Sequence, residues 1–96
     1  MTNLQYVRIM TDDPAIQVKL LEVMESYGDD QWWITDNTDY LAYRQFQEDV
    51  MLVESHAWQK ATEKLLGRDI TFMELKLDYK NIKSKVISKY EEKYNI

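Results

Sequence analysis

The sequence predicts an α+β fold, in which about four helices pack on a small β-sheet and a long helix ends a single compact domain, residues 1–96. Three observations support this prediction. A chain of 96 residues with 45% hydrophobic content can form one core but not two. Several stretches place apolar residues at helical spacing. Two runs, 4–10 and 50–53, are rich in residues that favour strands.

The N-terminal part of the chain predicts a strand followed by a helix. Residues 4–10 contain Tyr6, Val7 and Ile9, which have high strand propensity. Residues 11–14 then provide an Asp cap and a Pro at the first helical position. The helix predicted over about 13–27 ends at Gly28, where a left-handed cap suits glycine, and its apolar stripe is Ile16, Leu20, Val23 and Tyr27.

The middle of the chain permits two interpretations. Residues 36–39 are side chains that cap helices or form turns, and we expect a short helix over 39–47. The alternative is a hairpin whose strands are 32–35 and 40–45. The apolar run 50–53 is too short for a helix of its own and predicts a buried strand, although one uninterrupted helix over 39–66 is also possible.

The C-terminal part predicts helices separated by a turn. Ser55 is the expected cap of a helix that ends at Gly67. Thr71 and Glu74 have capping-box spacing, while the alternation over 71–77 offers a strand instead. Beyond a potential break at Asp78, helical spacing continues almost to the end of the chain through Tyr79, Ile82, Val86 and Tyr90.

The composition argues against an enzyme, a metal site or a cofactor. There is no cysteine, and His56 is the single histidine. Its neighbour Ser55 is expected to cap a helix and not to act as a nucleophile. No phosphate-binding or metal-binding motif is present. The sequence shows no signal peptide and no apolar stretch that could span a membrane, so a cytoplasmic protein is expected; oligomeric state is not predicted.

An acidic, aromatic segment is the first candidate binding site. Residues 29–54 carry seven Asp/Glu against one positive charge, and two adjacent tryptophans lie within them. If one tryptophan is exposed, it can anchor a protein partner with a basic surface; a solvated acidic rim around two core tryptophans is the structural alternative. The predicted partner-binding residues are Asp29, Asp30, Trp32, Trp33, Asp36, Asp39 and Tyr40.

A lysine-rich segment is the second candidate. The net charge is −8 over residues 1–75 and +3 over residues 76–96, and residues 56–90 have the outline of a helix-turn-helix. Both features would suit nucleic-acid binding, although such lysines more often form the solvated flank of a packed helix. The residues of this alternative site are Lys76, Lys80, Lys83, Lys85 and Lys89.

The series Asp29-Asp30-Gln31-Trp32-Trp33, then Gln45, then residues 65–68 with Glu74 resembles small uncharacterised proteins of phages and prophages in Gram-positive bacteria. The resemblance covers about half of the chain. It implies a short accessory protein that binds a host or phage protein without catalysis, for example to inhibit a defence complex as anti-CRISPR proteins do.

Overall fold

A computed structural model describes all residues, 1–96, and contains six α-helices and no β-strand. The α+β prediction is therefore wrong. The elements in chain order are α1 (Asn3–Met10), α2 (Pro14–Ser26), a 3-10 turn (Trp32–Ile34), α3 (Thr38–Gln45), α4 (Ser55–Leu66), α5 (Phe72–Leu77) and α6 (Tyr79–Tyr94). No helix combines the length and apolar character that crossing a membrane requires. The chain divides into two compact units, residues 1–31 and 32–96, and the single domain stays a prediction.

The first unit is a pair of helices, α1 and α2, and the strand predicted over 4–10 is α1. A capping box starts this helix: the Gln5 N–H donates to Thr2 Oγ1 (3.2 Å), and the Thr2 N–H donates to Gln5 Oε1 (2.8 Å). Capping supplies partners to orphan N–H groups, and α1 then packs against α2. Local hydrogen bonding therefore outweighs the strand propensity of Tyr6, Val7 and Ile9.

The helix predicted over 13–27 is confirmed. Asp13 caps α2 by accepting from the Ala15 N–H (3.0 Å), and Pro14 is the first helical residue. Gly28 follows the helix with φ 62°, a conformation that costs other residues more than glycine. The Gln31 side chain then donates to Asn3 Oδ1 (3.0 Å), which ties the end of this unit to its beginning.

The second unit is built around α6. Helix α3 packs against α4 and α6, and both α4 and α5 pack against α6. The helical interpretation of 39–47 is confirmed by α3, which Asn37 caps, so the hairpin alternative is wrong. The buried apolar side chains of this unit are Trp32, Trp33, Leu41, Ala42, Phe46, Leu52, Val53, Ala61, Leu65, Ile70, Leu75, Ile82, Val86 and Tyr90.

The run 50–53 is neither a strand nor part of a helix, because a side chain occupies its hydrogen-bonding groups. Gln45, at the end of α3, is almost completely buried. Its amide nitrogen donates to the Val50 carbonyl (3.0 Å), and its oxygen accepts from the Leu52 N–H (2.9 Å). One glutamine amide thus provides the partners that a neighbouring strand would otherwise provide.

Candidate binding surfaces

The two adjacent tryptophans belong to the interior. Trp32 and Trp33 expose 1% and 3% of their surface, and their rings meet edge to face with centroids 5.5 Å apart. The Arg44 guanidinium lies 6.0 Å from the Trp32 ring centroid, within the distance of a cation–π contact. Of the two possibilities that the sequence left open, the structure has both tryptophans in the core, so neither ring can serve as a surface anchor in this conformation.

Asp39 is also buried and forms its hydrogen bonds within the fold. It is 5% exposed, and its Oδ2 accepts hydrogen bonds from Lys93 Nζ (2.6 Å) and the Tyr94 hydroxyl (3.0 Å). Burial opposes ionisation of this carboxyl, but the two hydrogen bonds and the Lys93 charge outweigh it, and the pKa of Asp39 is lowered. Asp39 therefore connects α3 to the end of α6 instead of facing a partner.

The other residues of the predicted acidic site are divided between the two units. Asp29 and Asp30 follow α2 in the first unit, the former exposed and the latter half-buried. Asp36 is exposed in the second unit. Tyr40 is half-buried, and its hydroxyl accepts from Arg44 Nη1 (3.3 Å). Within the second unit, Asp36 is therefore the only predicted acidic residue on the surface, and partner binding by this set stays a prediction.

A different surface, on α5, presents apolar side chains to solvent. This helix has six residues, of which four are apolar and one, Leu75, is buried. Phe72, Met73 and Leu77 are 40%, 65% and 80% exposed. Contiguous exposed apolar residues on a soluble protein often mark an interaction site. We call Met51, Phe72, Met73 and Leu77, together with the groove beside them, the α5 surface.

The groove of the α5 surface has a volume of about 310 Å³. Lys76 is its only charged lining residue, and Ser55, the first residue of α4, also lines it. The rings of Trp58 and Tyr79 pack with each other and with Phe46, with centroids 4.8–6.4 Å apart. The apolar and aromatic lining residues are Met51, Trp58, Phe72, Leu75 and Tyr79.

Side chains of α4 fix the position of α5. The Ile70 N–H donates to Glu63 Oε2 (2.9 Å), and the Ile70 carbonyl accepts from Gln59 Nε2 (2.7 Å). Gly67, with φ 72°, ends α4, and Thr71 caps α5 by accepting from the Glu74 N–H (3.1 Å). The predicted helix start at Thr71 is confirmed, so the strand alternative for 71–77 is wrong.

The predicted lysines lie on two separate parts of the second unit. Lys76 and Lys80 border a hollow beside Leu77, whereas Lys85 and Lys89 line a groove of about 390 Å³ between α6 and the end of α4. Ser84 and Ser88 also line that groove, as do Leu66, Arg68 and Glu92. Lys83 is half-buried between these parts of α6.

The helix-turn-helix outline does not give a recognition helix. The helix after the turn is α5, which ends after six residues and exposes apolar side chains in place of base-reading donors. The break predicted at Asp78 is confirmed and separates α5 from α6, although the Asp78 side chain makes no capping bond. Glu54, not Ser55, caps α4 by accepting from the His56 and Ala57 N–H groups.

The chain matches no protein-family model, no curated protein and no solved structure. No group of three or more His, Cys, Asp or Glu side chains is arranged to hold a metal ion. His56 is exposed in the first turn of α4. The α5 surface was missed from the sequence, although one signal was present: a capped run with four apolar residues in six is too short to bury them all.

Proposed function

We propose that this protein is a non-catalytic interaction protein and that it binds a protein partner through the α5 surface. The observation that carries the proposal is the exposure of Phe72, Met73 and Leu77 on one short helix next to an apolar groove. Aromatic and methionine side chains are enriched in the cores of protein interfaces, and methionine adapts to partners of different shape. Burying this surface against a partner would remove apolar area from water.

The resemblance to small phage and prophage proteins supports the nature of the partner. We propose a host or phage protein, and inhibition of a complex that handles nucleic acid or acts in defence as the result of binding. Because Trp32 and Trp33 are buried, we propose that the apolar anchor lies on α5 and not in the segment 29–54. Exposed carboxylates such as Asp36 would then affect the rate of association more than its strength.

Affinity capture from host lysate tests this proposal. We expect the wild-type protein to retain a specific partner and the variants Phe72→Ser and Leu77→Ser to lose it. Ile96→Ser is the matched control, because Ile96 is 73% exposed but lies outside the α5 surface. Asp36→Lys tests whether the exposed carboxylate of Asp36 contributes to capture of the partner. If Phe72→Ser and Leu77→Ser capture the partner as well as Ile96→Ser does, the α5 surface is not the binding site.

Nucleic-acid binding through α6 is the second candidate function. The observation that favours it is the groove in which Lys85 and Lys89, one turn apart, lie beside Ser84 and Ser88. None of these four side chains forms a hydrogen bond or an ion pair in the structure, so all four can donate to phosphate oxygens. Glu92 also lines the groove and would oppose such binding.

A fluorescence titration with labelled duplex and single-stranded DNA tests the second candidate. Binding should weaken with salt, with a log–log slope of about −0.9 for each phosphate contacted on duplex DNA. Replacing Lys85 and Lys89 by Glu should abolish it, and the Phe72→Ser variant should bind normally. If no complex forms at about 100 μM in low salt, where non-specific binders are detected, the candidate is rejected.

A further inference from the structure

We propose that the α5 surface binds an amphipathic helix of the partner protein, and that this helix carries carboxylates beside its apolar side chains. The inference rests on the proposed function and adds the chemistry of the partner. It differs from the sequence-based expectation of a basic partner, which came from the acidic segment 29–54. The reasons are the shape of the groove and the charges at its border.

The shape of the α5 surface suits side chains inserted from a helix. A volume of about 310 Å³ lies at the low end of the range for small-molecule sites. The groove is open, and it shares Lys76 and Tyr79 with the hollow beside Leu77. An amphipathic helix that lies across such a surface can insert apolar side chains from successive turns, which a compact ligand cannot do.

Some of the charges on α5 and at the start of α6 form ion pairs and others do not. Arg68 and Glu74 form an ion pair at 2.7 Å, so these two charges compensate each other. Lys76 and Lys80 are both exposed, and neither makes an ion pair or a hydrogen bond. They border the same hollow beside Leu77. Lys76, near the end of α5, and Lys80, in the first turn of α6, are thus two positive charges at one hollow, and a carboxylate of the partner could pair with both.

Two acidic groups, Asp78 and Asp49, also lie near the same surface. Asp78 borders the hollow and accepts a hydrogen bond from Asn81 Nδ2 (3.1 Å). Asp49 is close to Tyr79: burial, and to a lesser extent this carboxylate, raise the pKa of the Tyr79 hydroxyl. On α5 itself, Glu74 is paired with Arg68 and Lys76 has no partner, so the carboxylates of the partner should face Lys76 and Lys80.

The charge of the second unit does not prevent an acidic partner from approaching. Residues 32–96 carry ten Lys/Arg and eleven Asp/Glu, a balance of −1, whereas residues 1–31 carry two and six, a balance of −4. At physiological ionic strength, charges more than about 8 Å apart are largely screened. Local pairing with Lys76 and Lys80 can therefore decide the preference.

Two synthetic peptides test the inference. Both are fluorescein-labelled helices with Leu at positions i, i+4 and i+7, and they differ only in whether the flanking positions are Glu or Lys. Fluorescence anisotropy measures the binding of each to the full chain. We expect the Glu peptide to bind about fivefold more tightly, the effect of a few exposed ion pairs. The Lys76→Glu/Lys80→Glu variant should prefer the Lys peptide, and high salt should remove both preferences.

The control variant Lys85→Glu/Lys89→Glu makes the same change of charge further along α6, outside the α5 surface, and should keep the wild-type preference. Equal binding of the two peptides, with both lost in Phe72→Ser, would overturn the acidic partner while leaving the α5 surface as the binding site. If neither peptide binds, the proposal that a helix occupies the α5 surface is rejected. It is also rejected if Phe72→Ser does not weaken binding of the Glu peptide. Failure of the proposed function itself is seen separately, in the lysate capture.

Discussion

The two ends of α6 contain similar residue types and use them differently. Near its C-terminus, Tyr90 stacks between Tyr43 (4.0 Å) and Tyr94 (4.5 Å), and Lys93 pairs with Asp39. At its N-terminus, the preceding helix exposes Phe72 and Leu77, and the neighbouring lysines have no partner. Aromatic and charged residues therefore make contacts within the fold at one end and are exposed to solvent at the other. Density of such residues in a sequence does not distinguish these uses.

The largest expected effect is on stability at the C-terminal end of α6. Tyr90 is 7% exposed, so Tyr90→Ala should leave a cavity and lower the free energy of unfolding by about 3 kcal/mol. Tyr90→Phe keeps the stacked ring and should cost much less. Urea denaturation followed by circular dichroism measures both values. Similar losses in the two variants would mean that ring stacking does not hold this end together.

The ion pair at the same end should contribute a smaller effect. Asp39→Asn keeps the size of the side chain but removes the charge that Lys93 and Tyr94 bind. We expect a loss of about 1–2 kcal/mol in unfolding free energy, since hydrogen bonds to a charged group are stronger than neutral ones. Asp36→Asn is the matched control on an exposed carboxyl and should be neutral. Equal stability of the two variants would contradict the prediction.

The contribution of Asp39 to stability should decrease as the pH is lowered. Its folded-state pKa is lowered, whereas the unfolded value is about 3.9. Stabilisation by the carboxylate is therefore complete above the unfolded pKa and is lost as pH falls through the folded pKa. The difference in unfolding free energy between wild type and Asp39→Asn should be constant over about pH 5–7 and should shrink below about pH 4. A difference that grows on acidification would contradict the lowered folded-state pKa of Asp39.

The smallest expected effect on stability is at the N-terminal end. Leu77 is 80% exposed, and Leu77→Ser should change the unfolding free energy by no more than about 0.5 kcal/mol. The same variant should lose the partner in the capture experiment, which separates binding from folding. Thermal unfolding measures the first effect. A large loss of stability would show that Leu77 supports the fold and would weaken the contrast between the two ends.

Three helices were predictable because their ends carry local signals. Asp13-Pro14 and Gly28 marked α2, residues 36–39 marked the start of α3, and Gly67 marked the end of α4. Each signal acts within a few residues of the chain, so the sequence alone is enough to recognise it. The break at Asp78 was predicted because aspartate can cap a helix, and the break is present although the side chain makes no capping bond.

The errors arose where a side chain replaces a backbone partner or where burial decides the outcome. The Thr2/Gln5 capping box was present in the sequence, but the strand prediction rested on the propensity of Tyr6, Val7 and Ile9 alone. The bonds of Gln45 to Val50 and Leu52 span five and seven residues, and no local pattern announces them. The burial of Trp32 and Trp33 depends on packing, which composition cannot supply. The α5 surface was missed for the complementary reason, because apolar residues are expected inside.

The bonding of Gln45 has a consequence for aggregation. The segment Val50-Met51-Leu52-Val53 combines strand propensity, apolar character and absence of charge, the features of segments that pair with copies of themselves in fibrils. In the folded chain the Gln45 amide occupies the Val50 carbonyl and the Leu52 N–H, so neither group can template another chain. The Gln45 side chain should therefore oppose strand pairing between molecules. Gln45→Leu should release the segment and accelerate the formation of thioflavin-positive aggregates when the protein is warmed.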